Sequence, residues 1–172
     1  MQACTDVAQR NALHFACSIG RRDAALHLTA LGHLTNSKYG ADRTCLHAAV
    51  EKPFDYRVEQ DEKLVQWLLN CHCDPLAADS DDVTPMHLAA CEGHAHITEW
   101  LALRLMVASQ GRKRNVTPRD KLGRTPLHYA AISGANESVS FLIDQGAELS
   151  APDLKGWTPV HVAIRYDSGR AH

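Results

Sequence analysis

The stretch Thr125-Pro126-Leu127-His128-Tyr129-Ala130-Ala131 returns in altered form along the chain. Its variants read Asn11-Ala12-Leu13-His14-Phe15-Ala16, Thr44-Cys45-Leu46-His47-Ala48-Ala49, Thr84-Pro85-Met86-His87-Leu88-Ala89-Ala90 and Thr158-Pro159-Val160-His161-Val162-Ala163. The histidines lie 33, 40, 41 and 33 residues apart. A unit of that length cannot bury its own apolar face, so it must stack on copies of itself. The spacing therefore predicts a linear array, and such an array offers a groove rather than an enclosed reaction chamber.

The unit around Thr125 shows what each copy contains. Asp120-Lys121-Leu122-Gly123-Arg124 is turn chemistry, with Gly123 free to take positive φ. Thr125 suits a helix cap and Pro126 the first helical position. Leu127, Ala130 and Ala131 give an apolar stripe with small residues, which lets helices approach closely. Gly134-Ala135-Asn136 ends that helix. A second is expected from about Glu137 to Gln145, with Val139, Phe141, Leu142 and Ile143 on its apolar side and Gly146 as its stop.

Together, Thr-Pro-Leu-His-x-Ala-Ala, the late glycine and the Asp-x-x-Gly-x-Thr turn resemble the ankyrin repeat over nearly the whole chain. The resemblance implies an all-α solenoid of about five helix-turn-helix units joined by hairpin turns. A single domain over 1–172 would hold repeats at 6–38, 39–78, 79–119, 120–152 and 153–172, the last incomplete. It is looser at the start, where Asn11-Ala12 and Cys45 depart from Thr-Pro. Gln9, Asp42 and Asp82 stand at the turn glycine, and aspartate tolerates left-handed backbone better than most residues. In the family the motif histidine ties neighbouring turns together, a structural role carried here to His14, His47, His87, His128 and His161.

Bulk composition narrows the function. The 172 residues are 45% hydrophobic and 22% charged, a globular mixture, and the net charge of −2 argues against a nucleic-acid footprint. The N-terminus lacks a secretory layout, and the apolar stretch from Trp100 to Ala108 is too short to span a bilayer. Cys4, Cys17, Cys45, Cys71, Cys73 and Cys91 read as reduced thiols, so a cytoplasmic or nuclear setting is expected. Cys71-His72-Cys73 and Cys91-Glu92-Gly93-His94-Ala95-His96 lack the paired spacing of structural zinc, and no metal or cofactor is expected. Nucleophile-elbow, phosphate-loop and His-Glu-x-x-His motifs are missing, and no catalytic residue or enzyme activity is assigned.

The array departs from its rhythm in three places. Residues 53–61, with Phe54 and Tyr56, fall between the two helices of the second unit, and the second helix is expected to resume at Glu62. Ile97 to Ala108 reads as an extended helix, and the insertion at 105–114 closes with Gly111-Arg112-Lys113-Arg114. After Tyr166 no second helix follows, from which a fragment of a longer protein, or a covered end, is expected. Asn36 resembles, loosely, the position at which ankyrin repeats are hydroxylated.

The resemblance also implies a docking face, made of hairpin tips and the exposed side of each first helix. Carried over position by position, it assigns Arg10, Arg43, Val83, Arg124 and Trp157 just before each cap, with Leu122 and Leu154 at the tips. On the first helices it assigns Ile19, Lys52, Glu92, Ile132, Arg165 and Tyr166. Three arginines in one row and an apolar, aromatic C-terminal end suit a protein or peptide partner with acidic and apolar groups. The function expected is non-enzymatic protein binding, or else substrate recruitment within a larger enzyme or membrane protein. A thiol-based metal or redox sensor is a third reading.

Overall fold

The computed structural model describes residues 11–51, 58–108 and 117–167. Arg10, Lys52, Gln9, Phe54, Tyr56 and the basic 111–114 stretch lie outside them. The described residues form helices and no strand: α1 (Ala12–Ser18), α2 (Arg22–Ala30), α3 (Cys45–Val50), α4 (Val58–Asn70), α5 (Pro85–Glu92), α6 (Ala95–Ala108), α7 (Pro126–Ser133), α8 (Asn136–Asp144) and α9 (Pro159–Asp167).

The repeated motif starts helices by a reciprocal cap. Asn11, Thr44, Thr84 and Thr125 hold extended backbone, and each side chain accepts from the third helical N–H. The histidine at that third position answers by accepting the cap residue's own N–H, as when Thr84 N donates to His87 Nδ1 at 3.1 Å. This is a capping box with histidine where glutamate commonly stands. Because Nδ1 accepts, the proton of the neutral ring sits on Nε2, which is left to donate.

Two layers result. The odd-numbered helices pack in series, α1 on α3, α3 on α5, α5 on α7 and α7 on α9. The even-numbered helices pack likewise from α2 to α8, each also resting on the odd-numbered helix before it. Buried alanines, Ala48 and Ala49 on α3, Ala89 and Ala90 on α5 and Ala130 on α7, let the inner helices approach closely. Leu64, Leu68, Ile97, Leu101 and Leu142 fill the space behind them from the outer layer. Helix α4 begins at Val58, inside the stretch read as an insertion, rather than at Glu62. With a helix already running, four more residues extend it at little cost, since nucleation is the expensive step.

Hairpins join the layers into a staircase. Each closes across a pair such as Asp79 N to Val83 O at 2.9 Å and Asp153 N to Trp157 O at 2.8 Å. The opening aspartate ties the turn from within: Asp120 Oδ1 accepts from Leu122 N at 2.9 Å and Arg124 N at 2.8 Å. Asp42 and Asp82 take φ of 63° and 58°, the left-handed role that Gly123 plays at 75°. Successive tips bond to each other, Ser80 N to Ala41 O at 2.8 Å, Lys121 N to Asp81 O at 3.0 Å and Leu154 N to Leu122 O at 2.9 Å. At the opposite edge Asn36 clamps two units, donating to His72 O and accepting from Asp74 N, both at 3.3 Å.

Candidate functional site

The rungs described above set hairpin tips and inner-helix ends side by side. Arg43 on the second hairpin bonds Glu51 at the end of α3. Glu51 acts electrostatically on Glu92 at the end of α5, and Cys91 beside it bonds Ser133 at the end of α7. These links run along one continuous row.

The predicted docking residues fare differently within it. Arg43 Nε lies 3.2 Å from Asp79 Oδ2, so its charge is engaged by Asp79 and Glu51 together. The Arg124 guanidinium lies 2.7 Å from Asp120 Oδ2, donates to Tyr129 Oη at 2.9 Å and sits 4.7 Å over the Tyr129 ring. Tyr129 in turn donates to Asp120 at 2.9 Å. Burial works against the Asp120 carboxylate, yet the bonds from Arg124 and Tyr129 outweigh it and hold its pKa below the ordinary carboxylate value. Burial first, then Asp120, pushes the Tyr129 phenol up. Two of the three arginines expected to greet an acidic partner are therefore spent inside the protein, and Arg10 lies outside the described residues.

Val83 is a correction. Its side chain is 7% exposed and belongs to the core, while its carbonyl takes the proton of His47 Nε2 at 3.0 Å. The position before the cap serves the neighbouring histidine through its main chain, so its side chain can turn inward. Glu92 is exposed; partial burial first, then the Glu51 charge, raises its pKa. Ile19 is exposed at the first unit and Ile132 is half-buried at the fourth.

The C-terminal end is the apolar part of the row. Leu122 is 47% exposed, Leu154 76% and Tyr166 49%, with the two leucines on adjacent, bonded hairpin tips. Arg165 lies 5.0 Å over the Trp157 ring. Beside them a cavity of about 420 Å³ opens between α7, α8 and α9, walled by Leu127, Ile132, Val139, Leu149, Ile164 and Tyr166 among others. It opens widely onto the surface, a shape suited to docking rather than to excluding water around a reaction.

Sequence reasoning missed Asp79 and Asp120, which build the turns and bind the arginines. Their signal was the aspartate that opens the Asp-x-x-Gly-x-Thr pattern itself. The thiols point inward: Cys17, Cys45 and Cys73 are buried, and burial pushes Cys73 up to about 12, which makes it a poor nucleophile. Among the described residues, no three His, Cys, Asp or Glu side chains gather as a metal-holding group. No described helix is long and apolar enough to cross a membrane.

Known proteins share this pattern. The family model for ankyrin repeats, built of three copies, matches residues 54–153 and 103–171. Inversin of Canis lupus familiaris is 29% identical over 157 residues, 91% of this chain and 13% of inversin. Rabankyrin-5 of Homo sapiens is 49% identical over 47 residues, 27% of this chain and 4% of that protein. Target of rapamycin complex 2 subunit AVO2 of Saccharomyces cerevisiae is 35% identical over 85 residues, 49% of this chain and 18% of that subunit. The chain thus spans a small fraction of the length of these relatives.

Proposed function

The chain belongs to the ankyrin-repeat family, and from that premise we propose that it binds another protein through the row of hairpin tips and inner-helix ends. Ankyrin repeats are in general protein-interaction modules and typically carry no catalysis of their own. The observation that supports this surface is the exposed apolar pair Leu122 and Leu154 on adjacent hairpin tips, close to Tyr166 and the half-buried Ile132. Exposed apolar side chains gathered on a rigid scaffold mark a docking surface more often than isolated ones do. The partner reading shifts accordingly. With Arg43 and Arg124 engaged, apolar contact at the C-terminal end carries more of the binding than a row of cations would.

The relatives are far longer than this chain, which supports a second reading: a recruiting module serving a larger enzyme or membrane protein. Both readings use the same face. The setting proposed is the cytoplasm or nucleus, where the thiols stay reduced.

The test places a photo-crosslinking residue at Ile132 or Leu154 and, as a control, at Ile143 on α8. A partner identified from the first two sites is then purified and its affinity measured. Ile132→Ala with Leu154→Ala is expected to weaken binding by about tenfold or more, in line with loss of an apolar anchor, while Ile143→Ala leaves it unchanged. Equal loss from the control, or none from the pair, overturns the assignment.

A further inference from the structure

Four of the five motif histidines are used twice. After capping its own helix, His47 donates from Nε2 to Val83 O at 3.0 Å, His87 to Arg124 O at 3.1 Å and His128 to Trp157 O at 3.0 Å. His14 reaches Ser37 O at 2.7 Å. Each therefore holds a main-chain carbonyl of the following unit.

His161 is made the same way up to that point. Thr158 N donates to its Nδ1 at 3.2 Å, and Thr158 Oγ1 lies 2.8 Å away. The neutral ring must then carry its proton on Nε2, and Nε2 has no hydrogen-bond partner among the described residues. His161 helps to wall a cleft of about 390 Å³ with Lys155, Trp157, Ile164 and Arg165. The Trp157 ring stands edge-on to His161 at 6.4 Å, with Arg165 over its face.

Charge separates this place from the filled rungs. The arginines near His47 and His87 are Arg43 and Arg124, and Asp79 and Asp120 neutralise them. Among the described residues, neither Lys155 nor Arg165 has a carboxylate at ion-pair distance. The carboxylate nearest in sequence, Asp153, is taken by its own turn, accepting from Lys155 N and Trp157 N at 2.8 Å each. An N–H donor and two uncompensated cations thus border an aromatic wall. A neutral carbonyl would satisfy the donor and leave the cations; a carboxylate answers both, with charge-assisted bonds.

We propose that this cleft receives an aspartate or glutamate side chain of a partner peptide, with an adjoining apolar residue lying against Trp157 and Ile164. The proposal rests on the docking reading above and names the partner's chemistry at one end of that face. It keeps the expectation of an acidic, apolar partner but moves the acid-reading groups from Arg43 and Arg124 to His161, Lys155 and Arg165.

The probes are fluorescent, acetylated and amidated heptapeptides of glycine and serine with a central Leu-X-Phe, X being Asp, Asn, Lys or phosphoserine. Anisotropy is read with the 172-residue chain at low and physiological salt. The Asp peptide is expected to bind about fivefold tighter than the Asn peptide, the gap narrowing with salt. Arg165→Gln, which leaves the Thr158 cap intact, should erase that gap, and so should His161→Ala if circular dichroism shows α9 still formed. Equal binding of Asp and Asn, a gap that survives Arg165→Gln, or a stronger preference for phosphoserine each overturns the carboxylate assignment. Should the gap be absent while Ile132→Ala with Leu154→Ala still weakens the purified partner, this inference alone falls. Should the gap appear while that pair has no effect, the wider docking face falls instead.

Discussion

The motif histidines show how one side chain can serve the backbone at two places. His87 is fully buried, its Nδ1 capping α5 and its Nε2 bonded to Arg124 O. Protonating Nδ1 would destroy the cap. Burial lowers the His87 pKa from 6.5 to about 4, the Arg124 carbonyl offsetting only part of it; burial also lowers His47 and His128. The folded ring thus holds its proton less well than the unfolded one. Between pH 6.5 and 4 the unfolded chain binds more protons, so stability is full above that window and falls as pH drops through it. His87 alone accounts for a loss of order 3 kcal/mol. Thermal midpoints measured from pH 7.5 to 4 should fall steadily, and nuclear magnetic resonance should find the His87 ring still neutral at pH 5.5. Protonation near 6.5 in the folded chain would refute the cap. A second expectation concerns Ser138, whose buried hydroxyl has no hydrogen-bond partner. Ser138→Ala removes an unsatisfied polar group from α8 and should stabilise by about 1 kcal/mol in urea titration; a loss of stability would mean the hydroxyl is bonded after all. The structural role of the histidines was legible in the sequence because it repeats. The fate of Arg43 was not, because its carboxylate partner Asp79 lies 36 positions away and nothing local announces the pairing.

At the scale of elements, the hairpins are where local chemistry and stacking meet. Gly123 takes φ of +75°, and a Cβ there would lie 3.0 Å from Leu154 N and 3.2 Å from Leu154 Cγ on the next tip. Gly146, with φ of +84°, has nothing within 4 Å of the same added atom. Both substitutions to alanine strain the backbone, by about 1 kcal/mol. Only Gly123→Ala should add a second cost, through the Leu154 N to Leu122 O rung, for a total of about 2–3 kcal/mol. Equal destabilisation of the two variants in urea would mean that the tips are not coupled. Helix starts were legible from Thr-Pro and helix stops from glycine, since caps are local. The start of α4 was misplaced because no cap marks it: Val58 opens the helix without proline, and the acidic run after it reads equally well as loop or as helix. The docking face was legible as a set of positions but not as a charge pattern, since Asp79 and Asp120 were read as turn formers alone.

Over the whole molecule, each unit touches only its neighbours, so stability should be distributed rather than concentrated. The central helices α5 and α7 are held on both sides, whereas α9 packs on α7 with no described helix beyond it. A one-dimensional array of this kind opens from its ends. Native-state hydrogen exchange on the 172-residue chain should therefore show α9 amides exchanging through a local opening and α5 amides only near the global limit. Substitutions sharpen the expectation. Leu101 is fully buried on α6, between the outer helices α4 and α8. Leu101→Ala should cost about 2–5 kcal/mol and lower protection from α3 through α8 together, because a cavity at the centre weakens both adjoining interfaces. Val162 is 6% exposed on α9. Val162→Ala should speed exchange in α9 while leaving α5 untouched. If α9 instead exchanges in step with α5 in both variants, the chain folds as a single cooperative block, and nearest-neighbour stacking does not describe its energetics. That outcome would bear on docking too, because the His161 cleft lies on the element expected to open first, and occupying it should then protect α9 before any other helix.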